Sequence, residues 1–266
     1  MEATNLTKER IEKYLLEGKR FDGRKKDEFR DIKIETGISK NAEGSARVIL
    51  GKTEVLVGVK MDIGTPYPDS PDKGNLITSG ELLPLSSDRY ENGPPRFPAI
   101  ELGRIIDRGI RESKVIDFEK LCIKEGEKVW SVYIDIYSIN DDGNIVDAAG
   151  IGALAALITG KMPYYDEKEE KIDYEKESKK EIPLNKDAPF TISVYKIGGS
   201  LIVDPTLEEE DASETKMIMG VREGGIISSI QKSGAKELTI DEVDEIFEIA
   251  EKVYNNTFPK IQKQLK

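Results

Sequence analysis

The hydrophobic pattern of this chain changes period along its length, and it does so in both halves. In the first half, Ile32 to Glu35, Ser45 to Leu50 and Glu54 to Lys60 carry the β-branched content of strands. Gly51-Lys52 supplies the turn that closes a hairpin between the second and third. Val129 to Ile139 alternates Val132, Ile134 and Ile136 against Tyr133, Asp135 and Tyr137, again a strand with one buried face. Helical periodicity takes over at Ala99 to Ser113 and at Ile145 to Thr159, after an opening helix at Thr7 to Glu17. Met61 to Asn75 reads as loop, and Thr78 to Ser87 reads equally as strand or coil.

The pattern then restarts. Strands are expected at Phe190 to Ile197, Ser200 to Val203, Lys216 to Arg222 and Ile226 to Gln231, with Gly198-Gly199 and Gly224-Gly225 as turns. A last helix begins at a capping box, Thr239 with Glu242, and its buried face is Val243, Ile246, Phe247, Ala250, Val253 and Tyr254. Hairpins followed by an amphipathic helix, twice over, predict an α+β fold of two lobes. Between them, thirteen of the sixteen residues from 166 to 181 are charged, which predicts a solvated linker. The expected division is 1–165, a linker over 166–187, and 188–266.

Helix Ala99 to Ser113 carries the sharpest functional signal. At ~100° per residue, Arg104, Arg108 and Arg111 fall at roughly 0°, 40° and −20°. Leu102, Ile105, Ile106 and Ile110 take the opposite arc, so the helix should bury an aliphatic stripe and turn an arginine ridge outward. Arginine suits phosphate because its planar fork donates two parallel hydrogen bonds. The competing reading is a solvated face laced with Glu101, Asp107 and Glu112.

Composition narrows the chemistry. The chain has no histidine, which removes the commonest general base and imidazole metal ligand. With a net charge of −11 it is no free-standing basic nucleic-acid binder, so an RNA role needs a local patch or a partner. The lone Cys122, between Leu121 and Ile123, reads as a small core residue rather than a nucleophile. The N-terminus lacks a signal-type apolar core, and the apolar run from Ala148 to Ile158 is too short to span a bilayer. A soluble cytoplasmic protein, with no membrane partner, is expected.

Two further segments could carry chemistry. Asp204 to Asp211, DPTLEEED, places five carboxylates at the end of an apolar strand. It could hold a divalent cation or supply an acid/base pair, or be a solvated acidic loop. The turn Asp141 to Asn144 feeds a helix N-terminus, a natural anion seat. Ile145, Val146 and Asp147 make that seat poor for phosphate, so a plain strand-to-helix turn is the better reading.

Taken in order, these pieces resemble the RNase PH family of phosphate-dependent exoribonucleases, from about Arg20 to Tyr254. The resemblance rests on Arg20-Phe21-Asp22-Gly23-Arg24 with Arg30, on Ala42 to Ser45, and on Gly51 to Val57. The arginine helix, the Asp142-Gly143 turn before an Ala-rich helix, and Val203-Asp204 with its acidic tail complete it. The stretches KGNLITSGELLPLSS, ENGPPRFPAIELGRIIDRGIRES and VDPTLEEED point to the branch forming non-catalytic ring subunits of the archaeal exosome.

The resemblance implies an RNase PH-like fold and a place in a 3′-to-5′ phosphorolytic complex. Active relatives follow the Asp-Gly turn with a Thr/Ser-Arg pair that holds phosphate, where this chain has Asn144-Ile145-Val146. They also carry two aspartates six residues apart, where this chain has Asp204 and Glu210. No catalytic or metal-binding residue is therefore expected here, and phosphate and Mg²⁺ are expected in a partner's site. The implied partners are a catalytic RNase PH-like homologue in a heterodimer and a hexameric ring (a trimer of dimers), RNA-binding cap proteins, and RNA. Arg104 and Arg108 map onto RNA-contacting positions of that branch, and Arg111 joins them by helical geometry alone. Two alternatives stand beside this reading: an active exoribonuclease using Asp204 and Glu210 with a divalent cation, and an acidic scaffold with no RNA contact.

Overall fold

The structure, a computed structural model, describes residues 4–173, 176 and 178–265. Helix α1 (Asn5–Leu16), capped by Thr4, opens the chain. Strands β1 (Ile32–Thr36), β2 (Gly44–Leu50), β3 (Thr53–Gly64) and β4 (Asn75–Glu81) precede α2 (Phe97–Ser113). Strands β5 (Cys122–Lys124) and β6 (Lys128–Asn140) lead into α3 (Ile145–Thr159), followed by the short strands β7 (Tyr164–Asp166) and β8 (Lys171–Asp173). The remainder is β9 (Phe190–Ile197), β10 (Ser200–Val203), α4 (Leu207–Ala212), β11 (Thr215–Arg222), β12 (Ile226–Gly234) and α5 (Ile240–Gln264).

The first half forms a mixed sheet in the order β1-β2-β3-β6-β4, with β5 added along β6. Leu50 faces Thr53 across the tight turn at Gly51-Lys52, which fixes the register of β2 on β3. Strand β6 buries Val132, Ile134 and Ile136, while Tyr133 and Tyr137 are exposed and Asp135 is half-buried. The expected loop from Met61 to Asn75 is shorter than read, because β3 runs on to Gly64 and β4 begins at Asn75. Strand β4 lies parallel to β6, and α2 packs over it on the crossover between them, forming a βαβ unit.

The second sheet, β10-β9-β11-β12, is antiparallel throughout. Helix α3 lies between the sheets, against β2 and β3 on one side and β9 on the other. A Cβ on Gly150 would meet Thr191 Oγ1 at 2.3 Å, and one on Gly152 would meet Val57 Cγ2 at 2.6 Å. These two glycines let a fully packed helix approach both sheets at once, and one continuous apolar core crosses the two halves. Helix α5 begins at the Thr239–Glu242 capping box and buries Ile246, Ala250, Val253 and Tyr254 as expected. It continues through Thr257, Phe258 and Ile261, while Val243 and Phe247 are only partly buried.

The charged run departs from a plain linker. It contains the β7–β8 hairpin, in which Lys128 reaches across to pair with Glu170, and bridges Lys161–Glu181 and Ile116–Leu184 tie its ends to the first half. Cys122 is half-buried on β5 rather than a core residue. Among the described residues, no helix is long and apolar enough to cross a membrane.

Candidate functional site

Helix α2 buries Leu102, Ile105, Ile106 and Ile110 with Ala99, Gly103 and Gly109, so the face opposite them is turned to solvent. Arg104 and Arg108 stand on that face, exposed, and neither has a hydrogen bond or ion pair among the described residues. Of the bordering acids, Glu112 is exposed and the other two are engaged elsewhere. Glu101 accepts from Gln231 Nε2 at 3.1 Å and from Ser233 Oγ at 3.3 Å. Asp107 takes both its bonds from Arg111, at 2.9 Å each.

Arg111 corrects the expected ridge. Its guanidinium also donates to the Leu76 carbonyl at 3.0 Å and lies over the Phe118 ring. An i,i+4 carboxylate and a free strand carbonyl within reach draw it back onto the protein surface. Two arginines, not three, face outward unpaired.

The second cluster lies where β10 ends and α3 begins. Asp204, fully buried with φ +45°, was expected in a run that would be either solvated or a cation site. It is neither. Its carboxylate accepts from the Arg30 N–H (2.7 Å), Nε (2.9 Å) and Nη2 (2.7 Å), from Arg24 Nη1 (2.9 Å) and from Asn144 Nδ2 (2.9 Å). Arg20, also buried, donates from Nε and Nη2 to Glu209 at 2.9 and 2.6 Å, and to the Val203 and Asp204 carbonyls. Glu209 is in turn the reciprocal partner in a capping box with Thr206, which starts α4. Asp211 is held by Arg89 at 2.7 and 2.6 Å. Three arginines from the segment after α1 therefore neutralise Asp204 and Glu209 and fasten the two halves together.

The Asp-Gly turn completes this cluster. Arg30 donates to the Asp142 and Gly143 carbonyls at 2.9 Å each. Gly143 sits at φ +89°, and a Cβ there would lie 2.6 Å from Leu207 N, so no other residue fits without moving α4. Glu210 reaches back from α4 and accepts the Asn144 N–H at 2.9 Å, at the cap of α3. Its other oxygen takes Tyr195 Oη and Lys216 Nζ, both at 3.0 Å. Burial would push the Glu210 carboxyl up, but Lys216 and the Asn144 N–H outweigh it and hold it below the usual range. The helix terminus, expected to be a plain turn, thus holds the chain's own carboxylate.

This arrangement does not suit Mg²⁺ or inorganic phosphate. Arginine and amide donors occupy both Asp204 oxygens, and an anion already takes the Asn144 N–H. Among the described residues no group of three carboxylate, histidine or cysteine side chains could hold a metal. Sequence reasoning singled out the Asp204–Asp211 run and the turn ending at Asn144 as separate segments, and it gave Arg20, Arg24 and Arg30 no role. The motif carrying those arginines was visible. Only the fold shows that it lies against Asp204.

Comparisons with known proteins give the family. The model of the 3′ exoribonuclease family, domain 1 (RNase PH), matches residues 28–163, and that of domain 2 matches residues 187–253. The chain is 46% identical over 246 residues to exosome complex component Rrp42 of Methanocella arvoryzae, covering 92% of both chains. It is 44% identical to the Rrp42 component of Methanothermobacter thermautotrophicus, covering 92% of this chain and 90% of the other. A solved structure titled as the Archaeoglobus fulgidus exosome with RNA bound to the active site superposes with a TM-score of 0.87, at 38% identity over 98% of each chain. A second, an archaeal exosome core, gives 0.84 at 36% identity over 97% of each chain. With both domains matched and relatives aligned over nine-tenths of its length, the chain belongs to the RNase PH family of 3′ exoribonuclease proteins.

Proposed function

We propose that this chain is a non-catalytic subunit of an archaeal exosome ring. It would alternate with a catalytic RNase PH-like homologue, as three heterodimers in a hexamer, beneath RNA-binding cap proteins. Lobes 1–165 and 188–266, joined through 166–187, form its half of each heterodimer. RNA is degraded from its 3′ end by phosphate in the homologue's site, with Mg²⁺ there, and this chain shapes that site and grips the RNA backbone. Arg104 and Arg108 make the grip, and Arg111 braces α2 against β4.

The observation that carries the non-catalytic reading is the occupation of the turn after β6. The Glu210 carboxylate lies on the Asn144 N–H, and Asp204 is locked by Arg24 and Arg30. An incoming phosphate would face like charge at the helix terminus, and a cation would face guanidinium groups. That argues against the active-enzyme alternative. The acidic-scaffold alternative leaves Arg104 and Arg108 unexplained, because two neighbouring arginines without carboxylate partners do nothing for stability.

Incubating the isolated chain with RNA, phosphate and Mg²⁺ tests the reading. No nucleoside diphosphate should be released until the catalytic homologue is added. Release by the purified chain alone would overturn it.

A further inference from the structure

The exposed face of α2 carries more than arginines. Phe97 and Ile100 are 73% and 50% exposed, large apolar side chains left in water. With Arg104 at 0°, Phe97 falls at roughly 20°, Ile100 at −40° and Arg108 at 40°, so all four share one stripe. Phe97 has no ring contact among the described residues, and it stands at the helix start, where no side chain caps α2. Neither the core nor the capping of the helix accounts for an aromatic residue there.

The spacing says what such a stripe fits. Arg104 and Arg108 are separated by about 6 Å along the axis, at 1.5 Å per residue. Two neighbouring phosphates of a single strand can therefore sit on these arginines, leaving its bases free to meet other side chains of the stripe. An unstacked base presents a free π-face, and single-strand sites meet it with an aromatic ring beside a cationic track. Phe97 lies about 10 Å beyond Arg104 on the same line, one to two extended nucleotides away.

We propose that Phe97 is a stacking platform for one base of a single-stranded RNA whose backbone is held by Arg104 and Arg108. This assignment rests on the RNA contact proposed above. Two unpaired guanidinium groups in line with the ring complement a phosphate backbone in charge and fork geometry, which favours RNA over a protein partner as the occupant. Stacking reads no base identity, so the contact tolerates any sequence.

The test uses the ring assembled with its catalytic partner, carrying Phe97→Leu or Phe97→Trp, and RNA oligonucleotides with one abasic nucleotide moved along the strand. Phe97→Leu keeps an apolar side chain but removes the ring; it should weaken RNA binding about tenfold. The slope of affinity against salt should not change, because no phosphate contact is lost. Phe97→Trp should bind at least as well as the unaltered ring. One abasic position should cost the unaltered ring a similar factor and cost the Phe97→Leu ring nothing. Unchanged affinity for Phe97→Leu, with the arginines still required, would overturn the stacking role and leave the backbone contact standing. Loss of the ring on Phe97→Leu would also overturn it, assigning the side chain to the subunit interface.

Discussion

The Glu210 carboxylate accepts the Asn144 N–H at 2.9 Å, so the first turn of α3 is neutralised from within the chain. The same side chain holds Tyr195 and Lys216, which ties α4 to the second sheet. This corner is a structural joint between α3, α4 and the second sheet.

Glu210→Gln should therefore act on stability and not on turnover. Without its charge, the side chain holds Lys216 and Asn144 more weakly, and unfolding free energy should fall by about 1–3 kcal/mol. The kcat of the assembled ring should be unchanged. A hundredfold fall in kcat with the ring intact would place Glu210 in the chemistry and contradict the assignment.

Arg20 and Glu209 form a pair in which both side chains are almost wholly removed from water. Arg20→Met leaves Glu209 buried without its partner and should cost about 3–5 kcal/mol in denaturant unfolding. Combining it with Glu209→Leu should recover part of that loss, because the stranded charge is then gone. Additive losses in the double variant would show that Arg20 acts through its carbonyl contacts alone.

Asp147 gives the fold a pH dependence. It is fully buried, and its carboxyl is pushed up to about 7 by burial, against hydrogen bonds from Ser193 and Asn144. In the unfolded chain it returns to its ordinary value of 3.8. Between the two, the folded chain keeps a proton that the unfolded chain has released. Stability from this group is thus present at low pH, falls as pH rises through that window, and is level above it. The melting temperature should drop more steeply from about pH 5 to pH 8 in the unaltered chain than in Asp147→Asn. Equal slopes would mean that Asp147 titrates normally.

Much of this fold was legible because local pattern and burial agree. Alternation along β6, the Ala/Gly composition of α3 and the capping box of α5 each state their environment within a few residues. Strand β4 was not legible: NLITSGE contains a glycine and two hydroxyl residues, and its pairing is set by β6, 56 positions along the chain. The acidic run misled for a related reason. Its Asp204 and Glu209 are satisfied by arginines 174–189 positions earlier, which no local window contains. Arg111 was misplaced by angle alone, since its direction depends on Asp107 and the Leu76 carbonyl rather than on helical phase.

A salt titration shows whether Arg104 and Arg108 hold RNA backbone, as proposed. RNA affinity of the assembled ring is measured across a salt series, with and without Arg104→Glu and Arg108→Glu together. Both side chains face away from the core of α2, so fold and ring should survive. Binding should weaken, and the slope of log affinity against log salt should fall by about 1.4, at ~0.7 per lost phosphate contact on a single strand. An intact ring with unaltered affinity and slope would contradict the proposed contact.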